Sequence, residues 1–349
     1  MAEIAGRLIE IDDDSCWDEL VDRSPHPEIY QRSAWLRLVA RSFGLTMARL
    51  ALDFDGELVA GLPLVMRRQG PFLLAGSPLH DVATPQIGPV LQEERFLTPL
   101  LDAVDAWQRR HRVAFTEIFF PRPGGEAVLR SRGYSVTPSR TLHLSLLGAD
   151  ADSIWRGFEG RCRTAIRKAQ RSGVRIRCEG DGAFVADYWR MAQDVYARQR
   201  MAPPTPRSFY ENLWSTYAGT GSLHVLSALH DGNVVASAIF LSSGGYLYYQ
   251  DGVSQGTSNA LGANNLIQWA IIRWALERGI HTYDMVGTGL PGIARFKRSF
   301  GGTPFERPWA MRANGPLASL ALFGYRRWRM LQRGPRASRR RAADRPHQR

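Results

Sequence analysis

The chain has 349 residues. That is above the usual size of a single hydrophobic core, so two domains are the first expectation. With 44% hydrophobic and 22% charged residues it has enough apolar surface for globular cores; no run of ~18 uncharged apolar residues reads as a bilayer span, and Met1-Ala2-Glu3-Ile4 lacks the basic-then-apolar pattern of a secretory signal. The net charge of +12 is concentrated at one end: Arg326 to Arg349 holds ten arginines against one acid, Asp344, so the body upstream is nearly balanced.

Cys16, Cys162 and Cys178 are odd in number and lack metal-ligand spacing, which reads as inert thiols in a reducing cytoplasm. Ser33 is a good N-cap for a helix over Ala34 to Arg41, with Gly44 as its stop. Ala51 to Leu62 then reads as strand, Asp55-Gly56 turn, strand, the strongest short hairpin signal. An amphipathic helix over about Leu97 to Arg110 and a strand over Ala114 to Phe119, which carries Glu117, follow. A boundary falls near Leu147-Gly148-Ala149-Asp150.

Beyond it the order repeats. Asp152 or Ser153 caps a helix running from Ile154 to about Arg171, stopped by Gly173, and a third helix spans Ala186 to Arg198 before Pro203, Pro204 and Pro206. Ser227 to Ala238 repeats the hairpin pattern around Asp231-Gly232. A strand over Tyr246 to Asp251, a helix over about Asn264 to Arg278 and a strand over Ile280 to Val286, with Asp284 where the first copy has Glu117, complete the second copy. Two copies of a strand-rich α/β unit follow from this concordant order.

Three constellations carry chemistry. Arg163, Arg167 and Arg171 recur every fourth residue, beside Arg161 and Lys168, so one helix face stacks guanidinium groups suited to phosphates, or else is simply a solvated face. Asn259 to Asn265 precedes a helix whose first amides, at Gly262, Ala263 and Asn264, are placed to meet a pyrophosphate. Tyr283 to Gly302 sets a carboxylate at a strand end, a Gly/Pro-rich loop, and Lys297 between Phe296 and Phe300, a rim for a developing oxyanion. Asp284 is placed either to take a proton from an attacking ammonium or to hold the neighbouring loop and Lys297.

The run Tyr283-Asp284-x-x-Gly287, followed by a glycine-containing loop and Phe296-Lys297-x-x-Phe300-Gly301-Gly302, resembles the signature of the FemAB-like branch of the GNAT acyltransferase superfamily, and the resemblance extends over about Ser33 to Trp309. It implies an α/β (α+β) fold of tandem GNAT-like units, each a mixed, mostly antiparallel sheet flanked by helices. Residues 1–148 would form the first unit, 149–312 the probable active-site unit, and 313–349 a basic amphipathic or disordered tail. The resemblance makes Lys297, with Phe296 and Asp284, the expected catalytic group. Arg163, Arg167 and Lys168 match the family's arginine-rich helix, and Tyr196, Arg198, Arg200 and Pro203-Pro204 its Tyr-x-Arg-x-x-x-x-Pro-Pro segment. Tyr249, Gln250 and Asp251 stand where substrate contacts are expected.

The implied reaction moves an aminoacyl or acyl group from aminoacyl-tRNA or acyl-CoA, as co-substrate without a tightly bound cofactor or metal, to an amine or hydroxyl of a cell-envelope precursor. The stretch around Gly262 matches the GNAT pyrophosphate loop only in part, which tilts the expectation toward the tRNA donor. A small-molecule N-acetyltransferase is the alternative within the class. From another class comes a non-catalytic RNA- or membrane-binding module, because Leu317 to Arg329 reads as a basic amphipathic segment able to rest on anionic lipid or attract RNA phosphates. The expected location is the cytoplasm, peripheral on the membrane's inner face if the tail binds lipid. No His pair has metal spacing, and there is no Gly-x-Ser-x-Gly elbow or Gly-Lys-Ser/Thr phosphate loop.

Overall fold

The computed structural model describes residues 6–321 apart from positions 199, 257 and 288–290. The arginine-rich tail from Arg326 onward, and with it most of the expected amphipathic segment, lies outside the described residues.

The first half runs β1 (Arg7–Glu10), α1 (Asp14–Arg23), α2 (Ser33–Phe43), β2 (Thr46–Phe54), β3 (Glu57–Gln69), β4 (Phe72–Ser77), β5 (Val90–Leu91), α3 (Leu97–Arg110), β6 (Val113–Phe119), α4 (Glu126–Ser131) and β7 (Ser135–Ser145). The second runs α5 (Ala151–Gly157), α6 (Gly160–Arg171), β8 (Arg175–Cys178), α7 (Phe184–Ala197), α8 (Arg207–Tyr217), β9 (Leu223–His230), β10 (Asn233–Ser243), β11 (Tyr246–Ser254), α9 (Ser258–Leu261), α10 (Ala263–Glu277), β12 (Thr282–Asp284), α11 (Pro291–Arg298) and β13 (Thr303–Ala313). Both Asp-Gly turns form as the sequence reading expects. Asp55 and Gly56 have φ of 52° and 85°, Asp231 and Gly232 of 50° and 78°, the double left-handed geometry whose twist matches the flanking strands.

Among the described residues a single sheet of 13 strands crosses the whole molecule, in the order β1-β2-β3-β4-β6-β13-β7-β12-β11-β10-β9-β8, with β5 beside β3. It is mixed and mostly antiparallel. Its two parallel pairs, β4 with β6 and β11 with β12, occupy corresponding places in the two halves. At the centre the halves exchange strands. β13 from the end of the chain lies between β6 and β7, while β7 pairs with β12. Pro308 of β13 faces Pro138 of β7, so two residues without an N–H oppose each other; the Pro308 carbonyl is taken by Phe120 N–H at 3.0 Å.

Helices cover both faces. One face bears α1 and α2 from the first half and α7 and α8 from the second over a shared core, in which Trp35 meets Phe209 at 6.0 Å and Tyr30 meets Tyr248 at 5.1 Å between ring centroids. On the other face each half keeps its own core, under α3 in the first and under α6 and α10 in the second.

The helix expected from Ile154 to Arg171 is broken. Asp150 and Ser153 form a reciprocal capping box that starts α5. The chain then turns extended at Phe158, whose buried ring packs edge-on against Phe300 and Trp269, before α6 begins at Gly160. None of the helices among the described residues is long and apolar enough to cross a membrane.

Candidate active site

β11 and β12 are hydrogen-bonded only from Tyr246–Thr282 to Tyr248–Asp284. Beyond that point β11 continues to Ser254, while the chain after Asp284 turns away as Met285 N–H donates to Leu142 O on β7 at 2.9 Å. A gap therefore opens between the two parallel strands, with one edge of β11 unpaired from Tyr249 onward. Just there the pairing of β11 with β10 slips: Ile239 opposes Asp251 and Phe240 opposes Tyr249, so Gln250 is an extra, bulged residue. A bulge re-aims the side chains around it.

Lys297 comes from α11 into this gap and is buried, with 6% of its surface exposed. Its ammonium donates to the carbonyls of Val286 and of Gly287, the latter at 2.8 Å, and lies 5.2 Å from the centre of the Tyr249 ring. Burial pulls its pKa down to about 8, against the opposing pull of Asp284 and Asp251.

Asp284 is 1% exposed. One carboxylate oxygen accepts from the Thr141 hydroxyl and from Val286 N–H at 2.7 Å; the other lies 3.2 Å from Arg307 Nη1 and 3.4 Å from His143 Nε2. Burial alone would raise its pKa, but His143, Arg307 and Thr141 outweigh it and hold the acid at about 2. Thr141 and His143 lie on β7 and Arg307 on β13, so the strands exchanged at the centre of the sheet supply the partners of Asp284.

On the shared-core side, a small pocket of about 10 Å³ lies at the seam between the halves, bounded by Glu28, Arg122, His143, Tyr248, Asp284 and Arg307 among others. Glu28 accepts from Tyr248 Oη at 2.6 Å and Gln86 Nε2 at 3.2 Å. Its burial raises its pKa although these bonds and the two arginines oppose the rise.

The residues singled out from sequence fall into two groups. Lys297, Asp284, Tyr249 and Asp251 converge on the gap, and Tyr196 and Tyr210 border it: Tyr210 Oη donates to Asp251 at 2.7 Å, and the Tyr196 pKa is raised by burial and by Asp251. Phe296 packs edge-on against fully buried Phe300 at 5.2 Å. Gln250 spends its amide on the seam, accepting from Tyr30 Oη at 3.0 Å and donating to Ala83 O at 2.6 Å.

The arginine stack on α6 is not continuous. Arg163 turns back to the carbonyl end of α5, donating to Arg156 O at 3.1 Å and to Phe158 O, because the break at Phe158 leaves those carbonyls without helical partners. Arg167 stays exposed over the Trp155 ring at 5.4 Å, Lys168 is exposed, and Arg200 is exposed with a left-handed φ of 57°.

At the expected pyrophosphate loop, Gly262 has φ of 74°, and a Cβ there would stand 2.3 Å from the Ala165 carbonyl, so this glycine is required by the close approach of α10 to α6. Ala263 is buried, and Asn264 donates to Ser254 Oγ at 3.1 Å. Gly301 is required in the same way, since a Cβ would meet Gly157 O at 2.8 Å. His143, Arg307, Thr141 and Glu28 escape sequence reading because no spacing marks them; Val286, with φ of 50°, is hinted at only by the glycine that follows it. Among the described residues no group of three or more His, Cys, Asp or Glu side chains is arranged to hold a metal ion.

Two parallel strands that part beside a bulged neighbour, between helices on both faces, define a GNAT-type acyltransferase fold, and residues 156–298 match the family described as the acetyltransferase (GNAT) domain. The crystal structure of FemX is similar over 87% of this chain and 96% of its own, with a TM-score of 0.70 at 16% identity. A tandem GNAT protein from the clavulanic acid biosynthesis pathway is similar over 89% and 99%, with a TM-score of 0.58 at 15% identity. The C-terminal domain of a putative lysylphosphatidylglycerol synthetase from Agrobacterium fabrum is similar over 88% and 95%, with a TM-score of 0.55 at 16% identity. No curated protein sequence matches. The fold is that of GNAT proteins in tandem form, and the segment matched to the GNAT domain contains Phe296 and Lys297 of the Phe-Lys-x-x-Phe-Gly-Gly run.

Proposed function

We propose that the protein is an acyltransferase whose second half, residues 149–312, transfers an aminoacyl or acyl group from aminoacyl-tRNA or acyl-CoA to an amine or hydroxyl of a cell-envelope precursor. The observation that carries this reading is the buried ammonium of Lys297 at the mouth of the gap between β11 and β12. When a nucleophile adds to the donor carbonyl, negative charge collects on one oxygen. A fixed ammonium in a poorly solvated site lowers that barrier by ~3 kcal/mol, and collapse of the intermediate expels the carrier's hydroxyl or thiol. Tyr249 beneath the ammonium supports poor solvation. Asp284 serves this site by position: a carboxyl held at about 2 and enclosed by Thr141, Arg307 and Val286 N–H is a weak proton acceptor at neutral pH.

The likeness to FemX supports aminoacyl transfer from a tRNA. The packing of Gly262 against α6 supports the same choice, because it accounts for that glycine without a pyrophosphate. Ala313 belongs to β13, so the expected tail starts later, and its charged part from Arg326 onward is assigned to contact with an anionic surface on its charge. A titration of the protein with coenzyme A and, separately, with charged tRNA tests the donor. Saturable binding of coenzyme A with no binding of tRNA at moderate salt would move the assignment to an acyl-CoA-dependent enzyme. Unchanged turnover in Lys297→Ala with the true donor would remove the catalytic role of that lysine.

A further inference from the structure

Of the five non-glycine residues with positive φ among the described residues, Val286 alone is β-branched. Its φ of 50° is a conformation that a branched Cβ opposes, and Gly287 follows with φ of 42°. The pair turns two successive carbonyls toward one point, which the ammonium of Lys297 occupies. Strain of this kind persists only where the surroundings over-determine it, and here they do. Val286 N–H is held by Asp284 Oδ1 at 2.7 Å, the same oxygen takes the Thr141 hydroxyl, and Arg307 reaches across β7 to the other oxygen at 3.2 Å. Arg307 is 4% exposed and Thr141 1% exposed, so neither meets solvent, and both lie outside the 156–298 match.

We propose that Arg307 and Thr141 are positioning residues for the site: by fixing Asp284 they hold Val286 in its left-handed conformation, and so aim the Val286 and Gly287 carbonyls at the Lys297 ammonium. A lysine is a point charge on a flexible four-carbon stem. Two fixed carbonyl dipoles remove that freedom and stop the ammonium from swinging out of the gap. The inference rests on the reading of Lys297 given above for its functional meaning, but not for its geometry. The strands that supply the clamp, β7 and β13, are the pair exchanged between the halves, so the site of the second half depends on the first half being folded against it.

The test needs no substrate. The pH dependence of Lys297 acylation by a small anhydride, read by peptide mass spectrometry on the full chain, gives a midpoint near 8 for the parent protein. In Thr141→Val and Arg307→Gln the loop relaxes, the ammonium gains solvent, and the midpoint rises by about one unit or more. Thr141→Val changes no charge, so an electrostatic effect of losing a cation cannot mimic its shift. It also carries the test alone if Arg307→Gln does not fold. Adding Val286→Gly to either variant brings the midpoint back, because glycine takes the left-handed conformation without a clamp, while Val286→Gly alone leaves it unmoved.

Folded variants in which Thr141→Val leaves the midpoint in place, or in which Val286→Gly restores nothing, overturn the proposal. If the shifts occur and yet Lys297→Ala turns over normally, the clamp stands and the catalytic reading falls. If Lys297→Ala is inactive and Thr141→Val shifts nothing, the reverse holds.

Discussion

Glu117 and Asp284 stand in corresponding places in the two halves, both buried, and each is gripped by a side chain of β13: Glu117 accepts from Trp309 Nε1 at 2.7 Å and Asp284 faces Arg307 Nη1 at 3.2 Å. Each also has a histidine, His80 Nδ1 at 3.0 Å from Glu117 and His143 Nε2 at 3.4 Å from Asp284. What differs is the space beside the acid. In the first half β4 stays paired with β6 to its last residue, Ser77 opposite Ile118, and the following turn folds back so tightly that a Cβ on Gly76 would lie 2.4 Å from Leu79 N. In the second half β11 outruns β12, and the vacated edge receives Lys297. The same frame is closed where the turn fills it and open where a cation is seated, which is why chemistry is assigned to one half although the acids match.

The comparison predicts unequal losses. Asp284→Asn leaves Arg307 buried without its counter-charge and should cost about 3–5 kcal/mol of stability. Glu117→Gln keeps an acceptor for the neutral Trp309 N–H and should cost about 1–3 kcal/mol. Urea midpoints of the two variants measure the difference, and equal losses would mean that the arginine adds nothing that the tryptophan does not. Next in size, Lys297→Ala should lower turnover ~10²–10³-fold, roughly 3 kcal/mol of barrier, while leaving the urea midpoint nearly in place. A comparable loss of turnover in folded Glu117→Gln would break the assignment of chemistry to the second half.

How much of this could be read beforehand follows from where the signals lie. The hairpins, α3, α10 and the Lys297 segment rest on local patterns, namely an Asp-Gly turn, helical periodicity and a glycine-framed Phe-Lys run, and they form where those patterns predict. The exchanged strands had no such pattern. Pro138, Pro304 and Pro308 argue against strands in the middle of a sheet, yet β7 and β13 run through its centre because two of those prolines face each other. The clamp on Asp284 was hidden for the same reason, since its members come from these two strands, 143 and 23 residues away from the acid. The turn of Arg163 back to the end of α5 follows from a local event, the cap at Asp150 and the break at Phe158, which the arginine spacing does not signal.

Titration sharpens the contrast further. The pKa of Asp284 is depressed from 3.8 to about 2, so its contribution, about 2 kcal/mol, is present above the unfolded value and lost as pH falls from ~4 to ~2. Acid unfolding should be delayed in the parent relative to Asp284→Asn across that window. Lys297 has the same sign of slope at higher pH, as a penalty relieved rather than a contribution gained. Its pKa is depressed from 10.5 to about 8, so the unfolded chain binds more protons between those values and stability rises through that range. If the ammonium is the working form, turnover falls over the same range with a midpoint near 8. A parallel rise of rate and stability would mean that the neutral amine works.

The smallest expected effect belongs to the first half. Hydrogen bonding to Glu117 raises the pKa of His80 above 6.5 despite partial burial, so the stability it lends is complete below pH 6.5 and lost as pH rises through the raised value. Its ring is 42% exposed, and solvent screening keeps the effect well below that of Asp284. The difference in urea midpoint between the parent and His80→Ala should therefore shrink from pH 6 toward pH 9. A His80→Ala difference that is flat with pH would show that the imidazole acts only by filling space. The closed half would then owe its acid's place to Trp309 and the turn amide of His80, which donates to Glu117 at 2.9 Å.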